Sequence, residues 1–257
     1  MAGRAARSTA LAAYVLHHYD WSESSLILDL FTREQGRIAV AAKGAKKPFS
    51  QLRGVLLPFQ RLQVSLGRQP PRDDTTEVHT LRGAEWAGGH PMLSGAALFS
   101  GFYLNELLMK LLARHDPHAA LFDAYADTVA ALVGGDDAAT QAALRAFELV
   151  LLREIGLLPD LGTETASHRP VRADRRYLVL ADAGVVETAD ENEATLSGAT
   201  LSALEMALRD DLASLQQVAA GALVALRPLL RAQLHYHLGT SQLRTRQVMI
   251  EAQALDR

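Results

Sequence analysis

The apolar pattern of this chain changes period once, and that change limits the fold more than any other feature. Up to about residue 81, short apolar runs alternate with turn signals; from Pro91 onward apolar residues recur every three to four positions. The first pattern predicts strands and the second predicts helices, so the chain reads as a β region followed by an α region.

Five short strands are predicted. Residues 10–18 form an apolar run around Tyr14, Val15 and Leu16, followed by the polar turn Trp21-Ser22-Glu23-Ser24-Ser25. Residues 26–32 (LILDLFT) and 37–43 flank Arg33-Glu34-Gln35-Gly36, a hairpin connection ending in glycine. Residues 60–66 alternate with period two, placing Leu62, Val64 and Leu66 on one side. Residues 67–74 hold Gly67, Pro70, Pro71, Asp73 and Asp74 and read as a turn or mobile loop, and residues 77–81 form a fifth strand. Five strands in about 80 residues suggest a small barrel. Such a barrel with basic loops fits the OB-fold, although strand count does not separate it from an SH3-like barrel. Phe31 and Phe59 are assigned to its core.

Beyond Pro91, residues 93–114 form an amphipathic helix with a broad apolar face, from Leu93 through Leu104, Leu107, Leu108 and Leu111. Asp116-Pro117 starts a second helix that runs to Val133, where Gly134-Gly135 breaks it. A third helix spans about 138–155 and stops at Gly156. Residues 161–176 are irregular. Residues 176–179 and 184–187 pair as a hairpin. Residues 197–209 are helical, capped by Thr200 or Ser202, and residues 212–238 make one or two further helices with Pro228 at a kink or junction. The predicted class is therefore α+β: an OB-fold at residues 1–84 and a mostly helical domain at 85–257, with a hairpin-containing insertion at about 160–196.

Charge narrows the function. The net charge is −3, but residues 1–72 carry 11 Lys/Arg against 4 Asp/Glu, and residues 227–257 carry 5 against 2. Three of the four lysines, Lys43, Lys46 and Lys47, fall within five residues at the end of the third strand, beside Gly44 and between Arg37 and Arg53. A cationic loop leaving a buried strand suits a polyanion, and the same residues equally describe a solvated surface loop. Phe49 lies two residues beyond Lys47 and is the best-placed ring for stacking on a base, whereas Trp21 either stacks or packs.

Other chemistries are poorly supported. The chain has no cysteine, which excludes disulfides, thiol nucleophiles and Cys-ligated zinc. There is no phosphate-binding glycine loop and no nucleophile elbow. The histidines lack a matching ligand set, and no carboxylate pair has a catalytic rationale. Glu148 is expected to pair with Arg145 or Arg153 within the third helix. No stretch approaches the roughly 18 apolar residues of a membrane helix. The N-terminal run has no convincing cleavage site, so residues 1–9 are expected to be a loose arm on a cytoplasmic protein.

Several motifs in order make a more specific signal: Val15-Leu16, Trp21–Thr32 (WSESSLILDLFT), Gly36-Arg37, Ala42-Lys43-Gly44-Ala45, Leu52-x-Gly54, Leu57-Pro58-Phe59, residues 100–107 (SGFYLNEL), and Leu144-Arg145-Ala146-Phe147-Glu148. Over about the first 155 residues this resembles the bacterial recombination mediators of the RecO family. The resemblance implies a non-enzymatic protein that binds single- and double-stranded DNA and anneals complementary strands. It also implies partnership with RecR, contact with the C-terminal tail of single-stranded DNA-binding protein, and indirect action on RecA by aiding its loading. A monomer when free, associated with the nucleoid, is expected. Some relatives carry a zinc-binding cysteine cluster near residues 161–176; with no cysteine here, zinc is not expected.

By position, Arg37, Lys43, Lys46, Lys47 and Arg53 become phosphate contacts, with Phe49 beside them. Arg227, Arg231, Arg244 and Arg246 are the candidate second DNA surface that annealing requires. Arg145 matches the partner-tail position, with an intrahelical pair to Glu148 as its competing role. The alternative function is a protein-interaction adaptor whose helical domain binds partner tails.

Overall fold

A computed structural model describes residues 10–67, 78–134, 136–239, 243–245 and 247–248. The arm at residues 1–9, most of the turn expected at 67–74, and Arg246 lie outside the described residues.

Five strands, β1 (Ala10–Asp20), β2 (Leu26–Thr32), β3 (Gly36–Ala42), β4 (Leu62–Leu66) and β5 (Val78–Trp86), close into a barrel of order β1-β2-β3-β5-β4. Antiparallel pairings join all neighbours except β3 and β5, which run parallel from Ala39↔Val78 to Ala41↔Thr80. This closed five-stranded barrel is the OB-fold expected from the strand pattern. Two strands run further than their apolar residues suggest. β1 continues through the exposed His17-His18-Tyr19-Asp20 because a bulge after Val15 keeps it in register with β2 as far as Asp20↔Leu26. β5 continues through Arg82–Trp86 because its backbone pairs with β4, Leu62↔Trp86 at the far end. Ladder hydrogen bonds do not depend on side-chain polarity, so neither extension shows in the apolar count.

The barrel interior includes Leu11, Ala13, Val15, Leu28, Leu30, Ile38 and Val40, together with Leu62 and Val64 of the alternation expected in β4, against which Leu66 packs. Phe31 is buried but does not belong to this interior. Period two turns it to the outer face when Leu28 and Leu30 point inward, and it packs on Phe122 with ring centroids 5.4 Å apart, as Tyr14 does at 5.3 Å. Phe59 is also buried outside the interior cluster, after Pro58, with φ +64°. Gly36 sits where a Cβ would come within 2.0 Å of the Asp116 carbonyl oxygen at φ +66°, so only glycine fits that turn.

A short α1 (Leu52–Val55) precedes β4, and α2 (Gly95–Leu111), α3 (Ala119–Leu132) and α4 (Asp137–Glu154) follow the barrel. Asp136 caps α4 by accepting from the Ala139 amide at 2.7 Å. The predicted hairpin is β6 (Arg176–Leu180) with β7 (Gly184–Thr188), and the two-residue β8 (Leu196–Ser197) completes the sheet. The chain ends in α5 (Gly198–Arg209), α6 (Leu212–Gly221) and α7 (Leu223–Leu238). The cap of α5 is Ser197, which accepts from the Thr200 amide at 3.1 Å, not Thr200 or Ser202. Residues 212–238 form two helices bent by 109°, and the break lies at Ala222 rather than at Pro228, which is inside α7. Asp211 caps α6 and fixes where it starts. Among the described residues, no single helix is long and apolar enough to cross a membrane.

Two compact units divide the chain: Met1–Leu93 with Leu107–Asp123, and Ser94–Glu106 with Ala124–Arg257. In the second unit an ionic cluster ties α4 to α5. The Glu205 carboxylate accepts from Arg153 at 2.6 and 3.2 Å, from Arg209 at 3.0 Å and from the Leu161 amide at 2.9 Å. Burial pushes the Glu205 carboxyl up, but Arg153, the Leu161 amide and Arg209 together outweigh it and hold it below the ordinary range.

Candidate functional site

Among its described residues, the barrel unit offers an open, cationic hollow. Trp21, Ser22, Ser24 and Ser25 from the β1–β2 turn face Lys43, Gly44 and Lys47 from the loop after β3. The two loops are tied together. The Lys46 amide donates to the Ser24 carbonyl at 3.0 Å and the Gly44 amide to the Ser25 hydroxyl at 3.3 Å. Ala45, 2% exposed, anchors the loop in the barrel core. Gly44 takes φ +73°, the left-handed turn that lets the loop fold back. A buried anchor with cations on either side fixes the charges in place rather than leaving them on a free arm.

The cations of this region divide by environment. Lys43 and Lys47 are exposed, and among the described residues neither has an ion-pair partner. Lys46 is half-buried and pairs with Asp20 at 3.1 Å while donating to the Ser22 carbonyl. Trp21 is 55% exposed and Phe49 is fully exposed, so both rings are available to stack. Arg53 is exposed on α1. Arg37 is differently placed. Its guanidinium makes a bidentate pair with Asp29 at 2.9 and 2.8 Å and donates to the carbonyls of Met109 and Leu112 at the end of α2. Its side chain is 14% exposed and that of Asp29 is 2% exposed. The Asp29 hydrogen bonds outweigh desolvation and hold the Arg37 guanidinium above its ordinary value.

The helical unit contains a cavity of about 260 Å³ with walls from α2, α4, α7 and residues 243–245. Phe99, Leu144, Leu234 and Leu243 make it apolar, while Tyr103, Arg145, Arg231 and His235 make it polar and cationic. Behind Arg145, fully buried Glu148 pairs with it at 2.7 Å and accepts from the Tyr103 hydroxyl at 2.6 Å. Burial pushes the Glu148 carboxyl up, partly offset by Arg145 and Tyr103. Burial, then the Glu148 charge, pushes the Tyr103 hydroxyl far up, so it stays a donor. Glu106 fixes the remaining wall, accepting from the Arg244 amide at 2.9 Å, the Thr245 amide at 2.9 Å and the Thr245 hydroxyl at 2.7 Å.

The candidates named from sequence are thus redistributed. Lys43 and Lys47 come together with Trp21. Arg145 pairs with Glu148 and lines the cavity of the helical unit. Arg231 lies on the same cavity, and Arg227 is exposed one turn earlier on α7. Arg244 is exposed on the segment held by Glu106. Sequence reasoning missed Phe99, Tyr103, Leu234 and Leu243 as cavity walls. The signal in the sequence that leads to this cavity is the motif Leu144-Arg145-Ala146-Phe147-Glu148, two of whose residues, Leu144 and Arg145, line it.

Two family models match the chain: "Recombination protein O N terminal" over residues 7–88 and "Recombination protein O C terminal" over residues 92–247. Proteins named DNA repair protein RecO are similar over nearly their whole length. That of Variovorax paradoxus (strain S110) is 56% identical over 253 residues, and those of Polaromonas sp. (strain JS666) and Verminephrobacter eiseniae (strain EF01-2) are 51% and 52% identical over 245 and 246 residues. Each alignment covers 95% of this chain and 96% of the relative.

Proposed function

The chain belongs to the recombination protein O family, and on that premise we propose that it is a non-catalytic mediator of DNA repair and recombination. It binds single- and double-stranded DNA, anneals complementary strands and, with RecR, helps RecA load onto single strands coated by single-stranded DNA-binding protein. It acts in the cytoplasm, on the nucleoid. The observation that carries the DNA reading is the hollow where two exposed lysines, Lys43 and Lys47, without an ion-pair partner among the described residues, flank the exposed Trp21. Ammonium groups hold successive phosphates while an aromatic face takes a base, a combination that suits single strands of any sequence.

Annealing requires two strands held at once. For the second strand the sequence nominates Arg227, Arg231, Arg244 and Arg246; Arg227 and Arg244 are exposed, and Arg231 lines the cavity beside Arg145. The cavity beside Arg145 receives the C-terminal tail of the single-stranded DNA-binding protein. Its apolar walls suit a bulky side chain, and its cations suit an acidic peptide ending in a carboxylate.

Annealing of complementary oligonucleotides tests the reading, with and without a coat of single-stranded DNA-binding protein. The protein accelerates annealing of naked and coated strands alike, and removal of the partner's tail abolishes acceleration on coated strands only. Failure to bind or anneal naked strands contradicts the DNA reading. Acceleration on coated strands that persists without the tail contradicts the tail reading.

A further inference from the structure

Three lysines fall close together in the loop after β3, and the hollow beside Trp21 is lined by Lys43 and Lys47. Lys46, between them in sequence, is held against the β1–β2 turn instead. Its ammonium pairs with Asp20 at 3.1 Å and donates to the Ser22 carbonyl at 3.0 Å, while its amide donates to the Ser24 carbonyl at 3.0 Å. Its side chain is 32% exposed, against 78% for Asp20. Asp20 is the last residue of β1, paired with Leu26, so the sheet fixes the backbone of this carboxylate next to Trp21. An isolated pair this exposed is weak. Here the Ser22 and Ser24 carbonyls already hold the lysine in its pairing position, so the carboxylate meets an ordered partner. A phosphate taking Lys46 must displace a carboxylate that stays tethered close by and repels it. Glu23 of the same turn is exposed, and among the described residues it has no ion-pair partner.

We propose that Asp20 is an internal substitute for a backbone phosphate: it occupies Lys46 and so limits the phosphates held by this loop to those at Lys43 and Lys47. This rests on the DNA-binding reading above and adds the residue that sets how tightly the site holds a strand. Asp20 touches no DNA in this account. It is a positioning residue that acts through Lys46. The same pair secures the turn that presents Trp21, so Lys46 shapes the hollow rather than gripping the strand. Fewer phosphate contacts make release faster, which suits a protein that brings two strands together and then gives up the duplex.

The test follows a labelled single-stranded oligonucleotide by fluorescence anisotropy across a salt series. The full chain is compared with Asp20→Asn, Asp20→Ala, Lys46→Ala, Asp20→Asn/Lys46→Ala and Glu23→Gln. Asp20→Asn removes the charge, and Asp20→Ala removes the acceptor as well. Both steepen the salt slope by about 0.7, one further single-strand phosphate contact, so their advantage over the wild type grows about fivefold for each tenfold fall in salt. Strands also dissociate from them more slowly. The double variant matches Lys46→Ala in affinity and slope, because Asp20 acts only through Lys46. Glu23→Gln keeps the wild-type slope. A gain that persists in the double variant, or that Glu23→Gln reproduces, shows general charge repulsion and overturns the proposal. Wild-type slopes in both Asp20 single variants also overturn it, while leaving the DNA reading intact. A wild-type protein that does not bind the oligonucleotide overturns both.

Discussion

Arg37 lies in the most basic quarter of the chain, one strand from the lysine loop, yet its surroundings predict a loss of stability rather than of DNA affinity when it is removed. Its guanidinium meets Asp29 through two hydrogen bonds of 2.9 and 2.8 Å, and its third nitrogen caps carbonyls at the end of α2. Arg37→Ala leaves the Asp29 carboxylate, 2% exposed, with Arg114 at 3.7 Å as its one ion-pair partner among the described residues. Breaking one side of such a buried pair costs about 3–5 kcal/mol, whereas truncating an exposed lysine stays within about 0.5 kcal/mol. Asp29→Ala costs a similar amount. The double variant Arg37→Met/Asp29→Leu recovers most of the loss, because neither charge remains buried alone, and the two singles are therefore strongly non-additive. Urea unfolding measures the stability, and single-strand binding across a salt series measures the phosphate contacts. The salt slope of Arg37→Ala matches the wild type. A variant of wild-type stability whose slope falls by about one unit would show that Arg37 is a phosphate contact and refute this reasoning.

Three further outcomes follow from the same geometry. Trp21→Ala weakens single-strand binding by about 1–3 kcal/mol, the value of one stacked base, and leaves the salt slope unchanged; equal affinity would show that the ring only packs. Glu205 is held below its ordinary value of 4.5, so its stabilisation is complete above that pH and disappears as pH falls through the lowered folded-state value. Thermal melts of wild type and Glu205→Gln therefore differ most near neutrality and converge in acid, and a gap that widens in acid would contradict the sign. Glu106→Ala releases the wall formed by Leu243 and Thr245, weakening peptide binding several-fold and speeding hydrogen exchange at residues 243–245. Unchanged exchange there would contradict its anchoring role.

Much of the barrel was legible because its interior is a strict period-two set: Leu28 and Leu30 inward, Phe31 outward. The same alternation explains why Phe31 misled, since an aromatic buried on the outer face reads like one buried inside. Strand ends were not legible where backbone pairing carries polar residues, as at Tyr19-Asp20 and Arg82–Trp86. The lysine loop was visible as charge. What separates Lys43 and Lys47 from Lys46 is the Asp20 carboxylate, 26 residues earlier in the chain, and composition cannot report that distance. The cavity was the least legible feature. Phe99, Arg145, Arg231 and Leu243 meet only when α2, α4, α7 and the following segment pack.

The central claim is that Lys43 and Lys47 hold phosphates. The most direct test is the slope of single-strand affinity against salt for wild type, Lys43→Ala/Lys47→Ala and Lys46→Ala. Each single-strand phosphate contact contributes about 0.7 to the slope, so the double variant loses about 1.4 units. Lys46→Ala, whose ammonium is engaged by Asp20, loses less than half of that. A double variant with the wild-type slope would contradict the account.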